Sequence, residues 1–132
     1  MLDSGFEGVE EALSAIEAGD SAGSWESQVL DFKEDPAVHP MNKNPDAGLV
    51  EFLVDEVICF SNADGGVAYI VLGVNDKKAG PAAFTGTDRS CDWLVEKIYS
   101  KTQPHIQVEA SEIERCGKRL IASVSYTHLT LP

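Results

Sequence analysis

The run Val67-Ala68-Tyr69-Ile70-Val71-Leu72-Gly73-Val74 constrains this chain more than any other stretch. A strand with one wet face alternates apolar and polar residues, but this run is apolar nearly throughout. It therefore predicts a central strand covered on both faces. Asp64-Gly65-Gly66 precede it and Asn75-Asp76-Lys77-Lys78 follow it. Either of the paired glycines can take the positive φ that stops a helix, and Asp64 favours the same turn. Gly73, near the strand's end, permits a bulge or the close approach of another group. A helix ahead of the glycines and a strand behind them is the reverse of a dinucleotide-binding fingerprint, which runs strand, glycine loop, helix.

The residues ahead of that turn set the helix it ends. Over 47–62, Leu49, Val50, Leu53, Val54, Val57, Ile58 and Phe60 cover about half the circumference at 100° per residue, with Glu51, Asp55 and Glu56 on the remainder. So wide an apolar face predicts a central, buried helix, with Cys59 in or near the core. Residues 5–18 place Phe6, Val9, Leu13 and Ile16 on one face of another helix, with Glu7, Glu10 and Glu11 near its start, where the helix dipole favours acids. "QVLDFK" (28–33) reads as a short strand with Leu30 and Phe32 inward. Residues 35–48, with three prolines and a glycine, read as a loop long enough to carry function. A third helix is predicted at 90–101, with Trp93, Leu94, Ile98 and the Lys97 stem inward. Two strands then flank Cys116-Gly117 as a hairpin, with Leu120, Ala122, Val124 and Tyr126 on one face. The fold class is α+β, a small mixed sheet with a central buried helix and flanking helices.

Charge and cysteine usage narrow the chemistry. The net charge is -12, yet residues 77–132 hold eight Lys or Arg against six acids, so only the C-terminal portion can supply a basic surface. Such a surface is what nucleic-acid binding requires, because neutralising phosphates supplies most of the non-specific affinity. Cys59, Cys91 and Cys116 lack the spacing of a zinc site or a disulfide framework, and His39, His105 and His128 are scattered. No apolar run reaches about 18 residues, so no membrane span is expected, and a start of Met1-Leu2-Asp3-Ser4 without basic and apolar regions points to the cytoplasm.

Three segments now stand in order: "ESQVLDFK" (26–33), "ICFSNADGG" (58–66) and "LGVND" (72–76). Together they resemble the Schlafen AlbA-like domain, a nucleic-acid-binding module of bacterial regulators and Schlafen proteins. Its pattern runs E-x4-E-F-K, then A-F-A-N-T-x-G-G, then a strand ending I-G-V-x-D. The likeness spans residues 24–126, leaving 1–23 as an N-terminal helix and linker. Asp31 stands where the family has a second Glu, and Ser61 and Asp64 also depart from the pattern. A Schlafen core-like fold is implied, cut short at its C-terminal end because the family's final strand has no counterpart. The closing "SYTHLTLP" (125–132) resembles translated sequencing-adapter DNA and is expected to be a non-native tail.

The resemblance implies a partner, DNA or RNA, and two roles. As a module of a transcriptional regulator, the domain would contact phosphates through Lys33, Lys77, Lys78, Arg89, Arg115, Lys118 and Arg119, each of which also reads as an ordinary solvated charge. As a Schlafen-type endoribonuclease, it would use Glu26, Asp31 and Asp76 as catalytic residues and as ligands for Mg²⁺ or Mn²⁺. Each of these acids also reads as an ordinary loop, strand or turn carboxylate. Asn62, Gly65, Gly66 and Gly73 are the structural motif. Relatives carry ATP-binding labels as well, which keeps a regulatory or protein-interaction domain, or a homo-oligomer, in view; no phosphate-cradling glycine loop accompanies them.

Overall fold

The computed structural model describes residues 6–27, 30–38, 45–61, 67–103 and 105–126. Asn62, Gly65 and Gly66 of the predicted motif lie outside them, as do His39, His128 and the chain beyond 126. The order is α1 (Glu7–Glu17), β1 (Leu30–Lys33), α2 (Pro45–Ser61), β2 (Val67–Leu72), α3 (Cys91–Lys101), β3 (Val108–Arg115) and β4 (Lys118–Tyr126), with short 3₁₀ turns at Ala22–Trp25, Pro36–Val38 and Gly80–Ala83. The four strands form one mixed sheet in the order β1-β2-β4-β3, so the fold is α+β.

β2 is an inner strand, as its unbroken apolar run requires. It pairs parallel with β1 (Leu30 opposite Tyr69, Lys33 opposite Leu72) and antiparallel with β4. Two strands can be parallel only if the chain crosses back between them, and α2 makes that crossing. Alternate residues of β2 then serve two cores. Val71 joins Leu30, Phe32 and Leu120 under Val9, Leu13 and Ile16 of α1. Ala68, Ile70 and Leu72 join Ile121 under Leu49, Leu53 and Val57 of α2 and Leu94 and Ile98 of α3. The sheet is thus the middle of three layers.

This layering corrects several expectations. α2 covers the sheet from one side, with α3 beside it, so only the stripe Leu49-Leu53-Val57 is fully buried. Val50 and Val54 are half-buried, Ile58 is 41% exposed and Cys59 is exposed, so α2 is a covering helix with a narrow inner face. β4 is buried along Leu120–Ser125 on both faces, because α1 lies over one side of it and α2 with α3 over the other. Ser123 is tolerated there because it donates its hydroxyl to the Ile70 carbonyl at 3.1 Å. The predicted loop 35–48 shortens at both ends, to the turn Pro36–Val38 and to the start of α2 at Pro45, whose fixed φ suits a first helical position. Among the described residues no helix is long and apolar enough to cross a membrane.

Gly73 ends β2 at φ +108°, and a Cβ there would sit 2.9 Å from a Leu120 methyl. Its N–H donates to the Lys33 carbonyl (2.8 Å), while its own carbonyl accepts from the Thr85 and Gly86 amides (2.9 Å each). The chain at 84–87 is thereby drawn back over the strand end, which fixes where the following loop emerges.

Candidate nucleic-acid interface and the acidic cluster beside it

The strand directions decide which charges meet. Since β1 and β2 run parallel and β4 runs against them, the C-terminal ends of β1 and β2 lie at the same edge of the sheet as the start of β4. Lys33 closes β1, Lys77 and Lys78 follow β2, and Lys118 and Arg119 open β4. Arg89, in the loop before α3, is tied to the same end through Asp35, two residues past β1. Lys77, Lys78, Lys118 and Arg119 are far from Lys33 in the chain, yet pairing of the strands brings them to the same end of the sheet.

These cations are not equivalent. Asp35 is 1% exposed and accepts from the Thr87 hydroxyl (2.6 Å), the Ala37 amide (2.9 Å) and Arg89 Nε (3.0 Å). Burial alone pushes the Asp35 carboxyl up, but the Thr87, Ala37 and Arg89 donors outweigh it and hold it below the ordinary range. Arg89 also reaches Asp46 at 2.7 Å and lies 4.4 Å over the Trp93 ring. It is therefore a clamp between the end of β1, α2 and α3. Arg119 donates to the Thr87 and Arg89 carbonyls and, at 2.6 Å, to Glu112. Arg115 faces the other way, onto α1, where it meets Glu10 (2.5 Å), Glu17 (3.2 Å) and the Ser14 hydroxyl (3.0 Å). Among the described residues Lys77, Lys78 and Lys118 carry no ion pair.

Two clefts open at this end. One of about 560 Å³ is lined by Asp35, Thr87, Arg89, Lys118 and Arg119, among others. The second, of about 340 Å³, brings Lys33, Asn75, Asp76 and Lys77 together. Lys33 spans its wall with the ammonium 4.8 Å above the Phe52 ring, a cation–π contact that keeps the head directed without neutralising it.

Behind the second cleft lies an acidic cluster. Ser21 caps the turn Ala22–Trp25, accepting from the Ser24 amide (3.3 Å), and the Ala22 amide donates to the Lys78 carbonyl (2.9 Å). Gly23 is needed there, because a Cβ would lie 2.9 Å from the Asp76 carbonyl. That docking carries Glu26 to the outer edge of β1, where its carboxylate accepts the Phe32 N–H at 3.1 Å and covers an edge amide. Asp31 lies beside Glu26 on one side and beside Glu56 of α2 on the other. Burial first, then the bond to Asp31, pushes Glu26 up to about 7, with the charges of Asp31 and Asp76 adding to it. Burial and Asp31 likewise push Glu56 up to about 7, with a contribution from Asp55.

Glu26, Asp31 and Asp76 are thus neighbours, but Asp76 lines the cleft while Glu26 and Asp31 do not. Carboxylates suit a hard divalent ion in type. As placed they do not fit one, since among the described residues no group of three or more His, Cys, Asp or Glu side chains is arranged to hold a metal.

Two residues of this region escaped the sequence reading. Glu56 sits four residues after Phe52, about 6 Å along a helix, and Asp31 sits two before Lys33, about 6.6 Å along a strand. The pairs Lys33–Phe52 and Asp31–Glu56 therefore match when α2 runs back against β1, a register visible only once the crossover is assigned. Asp35 read as one more acid in a proline-rich loop, and its partner Arg89 is 54 residues away.

The protein is thus a three-layer α/β/α sheet with two clefts of mixed charge at one end. The family profile "Schlafen, AlbA_2" matches residues 26–127, and the chain belongs to that family. No curated protein and no solved structure matches the chain.

Proposed function

We propose that this chain is a nucleic-acid-binding module of the kind used by bacterial-type transcriptional regulators. The observation that carries the reading is the gathering of Lys33, Lys77 and Lys118 around two clefts at one sheet end, with Lys78 next in the chain, despite a net charge of -12. Family membership supports it at the coarser level of a nucleic-acid-related domain. The lysines would meet phosphates as point charges. Arg89 and Arg119, committed to Asp35, Asp46 and Glu112, would hold the clefts open in shape, and Arg115 would brace α1.

Fluorescence anisotropy with labelled single- and double-stranded DNA and RNA, across a salt series, tests this. Affinity is expected to fall linearly on a log–log plot, by about 0.7 to 0.9 in slope per phosphate contacted. Lys77→Glu combined with Lys118→Glu should weaken binding about tenfold and flatten the slope by about 2. Affinity indifferent to salt overturns the reading. A metal-dependent endoribonuclease built on Glu26, Asp31 and Asp76 is separated in the same samples. RNA cut in Mg²⁺ or Mn²⁺ by the wild type but spared by Asp76→Ala moves the acids to a catalytic role. Equal behaviour of the two proteins leaves binding alone.

A further inference from the structure

The outer side of α2 carries a stripe that a fully solvated helix would not. Val50, Val54 and Ile58 follow one another at four-residue spacing, so they lie in line on one side of the helix. Opposite them Trp93 of α3 is only partly buried, and the two helices enclose a groove of about 500 Å³ floored by Val50, Val54 and Trp93. Its rims have opposite charge: Glu51 and Asp55 on the α2 side, Lys97 and Lys101 on the α3 side. None of these four is in an ion pair among the described residues.

We propose that this groove is a self-association surface, filled by the same groove of a second copy of the chain. A two-fold axis lying in the interface and running along the groove exchanges the rims. Glu51 and Asp55 of one copy then face Lys97 and Lys101 of the other, and the reverse pairing follows by symmetry. Val54 and Trp93 of each copy meet at the centre, where water is excluded. An apolar stripe alone would accept many partners, but an apolar floor between one acidic and one basic rim is complementary to itself. The net charge of -12 repels copies at long range. Salt screens that repulsion more than it screens the contact pairs, so the dimer is favoured at physiological ionic strength. Nothing in this inference depends on the nucleic-acid reading.

Sedimentation equilibrium from micromolar to near-millimolar protein tests it, with circular dichroism confirming the fold of each variant. The wild type is expected to reach the dimer mass. Lys97→Glu with Lys101→Glu makes both rims acidic, and Glu51→Lys with Asp55→Lys makes both basic; each should weaken dimerisation at least about tenfold. An equimolar mixture of the two variants should recover a heterodimer, since every rim again meets its opposite. A wild type that stays monomeric overturns the proposal and assigns the groove to a different occupant. Dimers that survive both substitutions, or a mixture that fails to recover, overturn it equally.

Discussion

Glu26 shows how one side chain can serve the fold and strain it. Its carboxylate covers the Phe32 amide at the open edge of β1, yet burial and Asp31 push it up to about 7 from an ordinary 4.5. The folded chain therefore keeps a proton that the unfolded chain releases between these values. Stability falls as pH rises through that window, and the full cost is present above pH 7. Asp35 acts in the opposite sense: its lowered carboxyl contributes stability that disappears only in more acidic solution, below its ordinary 3.8. The two effects occupy separate pH ranges. Glu26→Gln keeps an acceptor for the Phe32 amide without the charge. Urea denaturation should find this variant more stable at pH 8 by about 1 kcal/mol, after discounting for solvent screening, and level with the wild type near pH 4.5. An advantage of the same size at both pH values would show that repulsion in the cluster is not its source.

Between elements, the tie that matters most for the larger cleft is Asp35 with Thr87 and Arg89, because it joins the end of β1 to the loop ahead of α3. Asp35→Ala leaves the Thr87 hydroxyl without its acceptor and Arg89 with only Asp46 and the Trp93 ring. Removing one partner of a buried, hydrogen-bonded pair costs about 3 kcal/mol, and the loss should appear in the denaturation midpoint. A change below about 0.5 kcal/mol, the range of ordinary surface substitutions, would mean the clamp is not holding these elements. α3 starts independently of it, since Ser90 accepts the Trp93 amide at 3.0 Å as an N-cap. The helix should therefore persist in the variant while the 560 Å³ cleft loses its shape.

At the scale of the molecule, 22 acids and 10 Lys or Arg share a body whose radius of gyration is about 14 Å. At 10 mM salt the Debye length is about 30 Å, so every charge feels every other; near 150 mM it is about 8 Å. Screening should therefore raise the melting temperature of dilute protein by a few degrees over this range, and scanning calorimetry would register it. A fall would mean that ion pairs such as Arg115–Glu10 outweigh the general repulsion. By itself the sequence determined the local elements. The apolar run of β2, the stripe Val9-Leu13-Ile16 and the Cys116-Gly117 turn each act over a few residues, where periodicity and backbone preference suffice. It also supplied the motif that names the family. Only the tertiary structure decided which face of α2 is wet, that β4 is covered on both sides, and that Glu56 and Asp35 join residues far from them in the chain. Those outcomes depend on which element lies against which, and on the parallel crossover that brings distant charges to one end of the sheet. A local pattern records how much apolar surface a segment offers, whereas burial is settled by the neighbours that arrive to cover it.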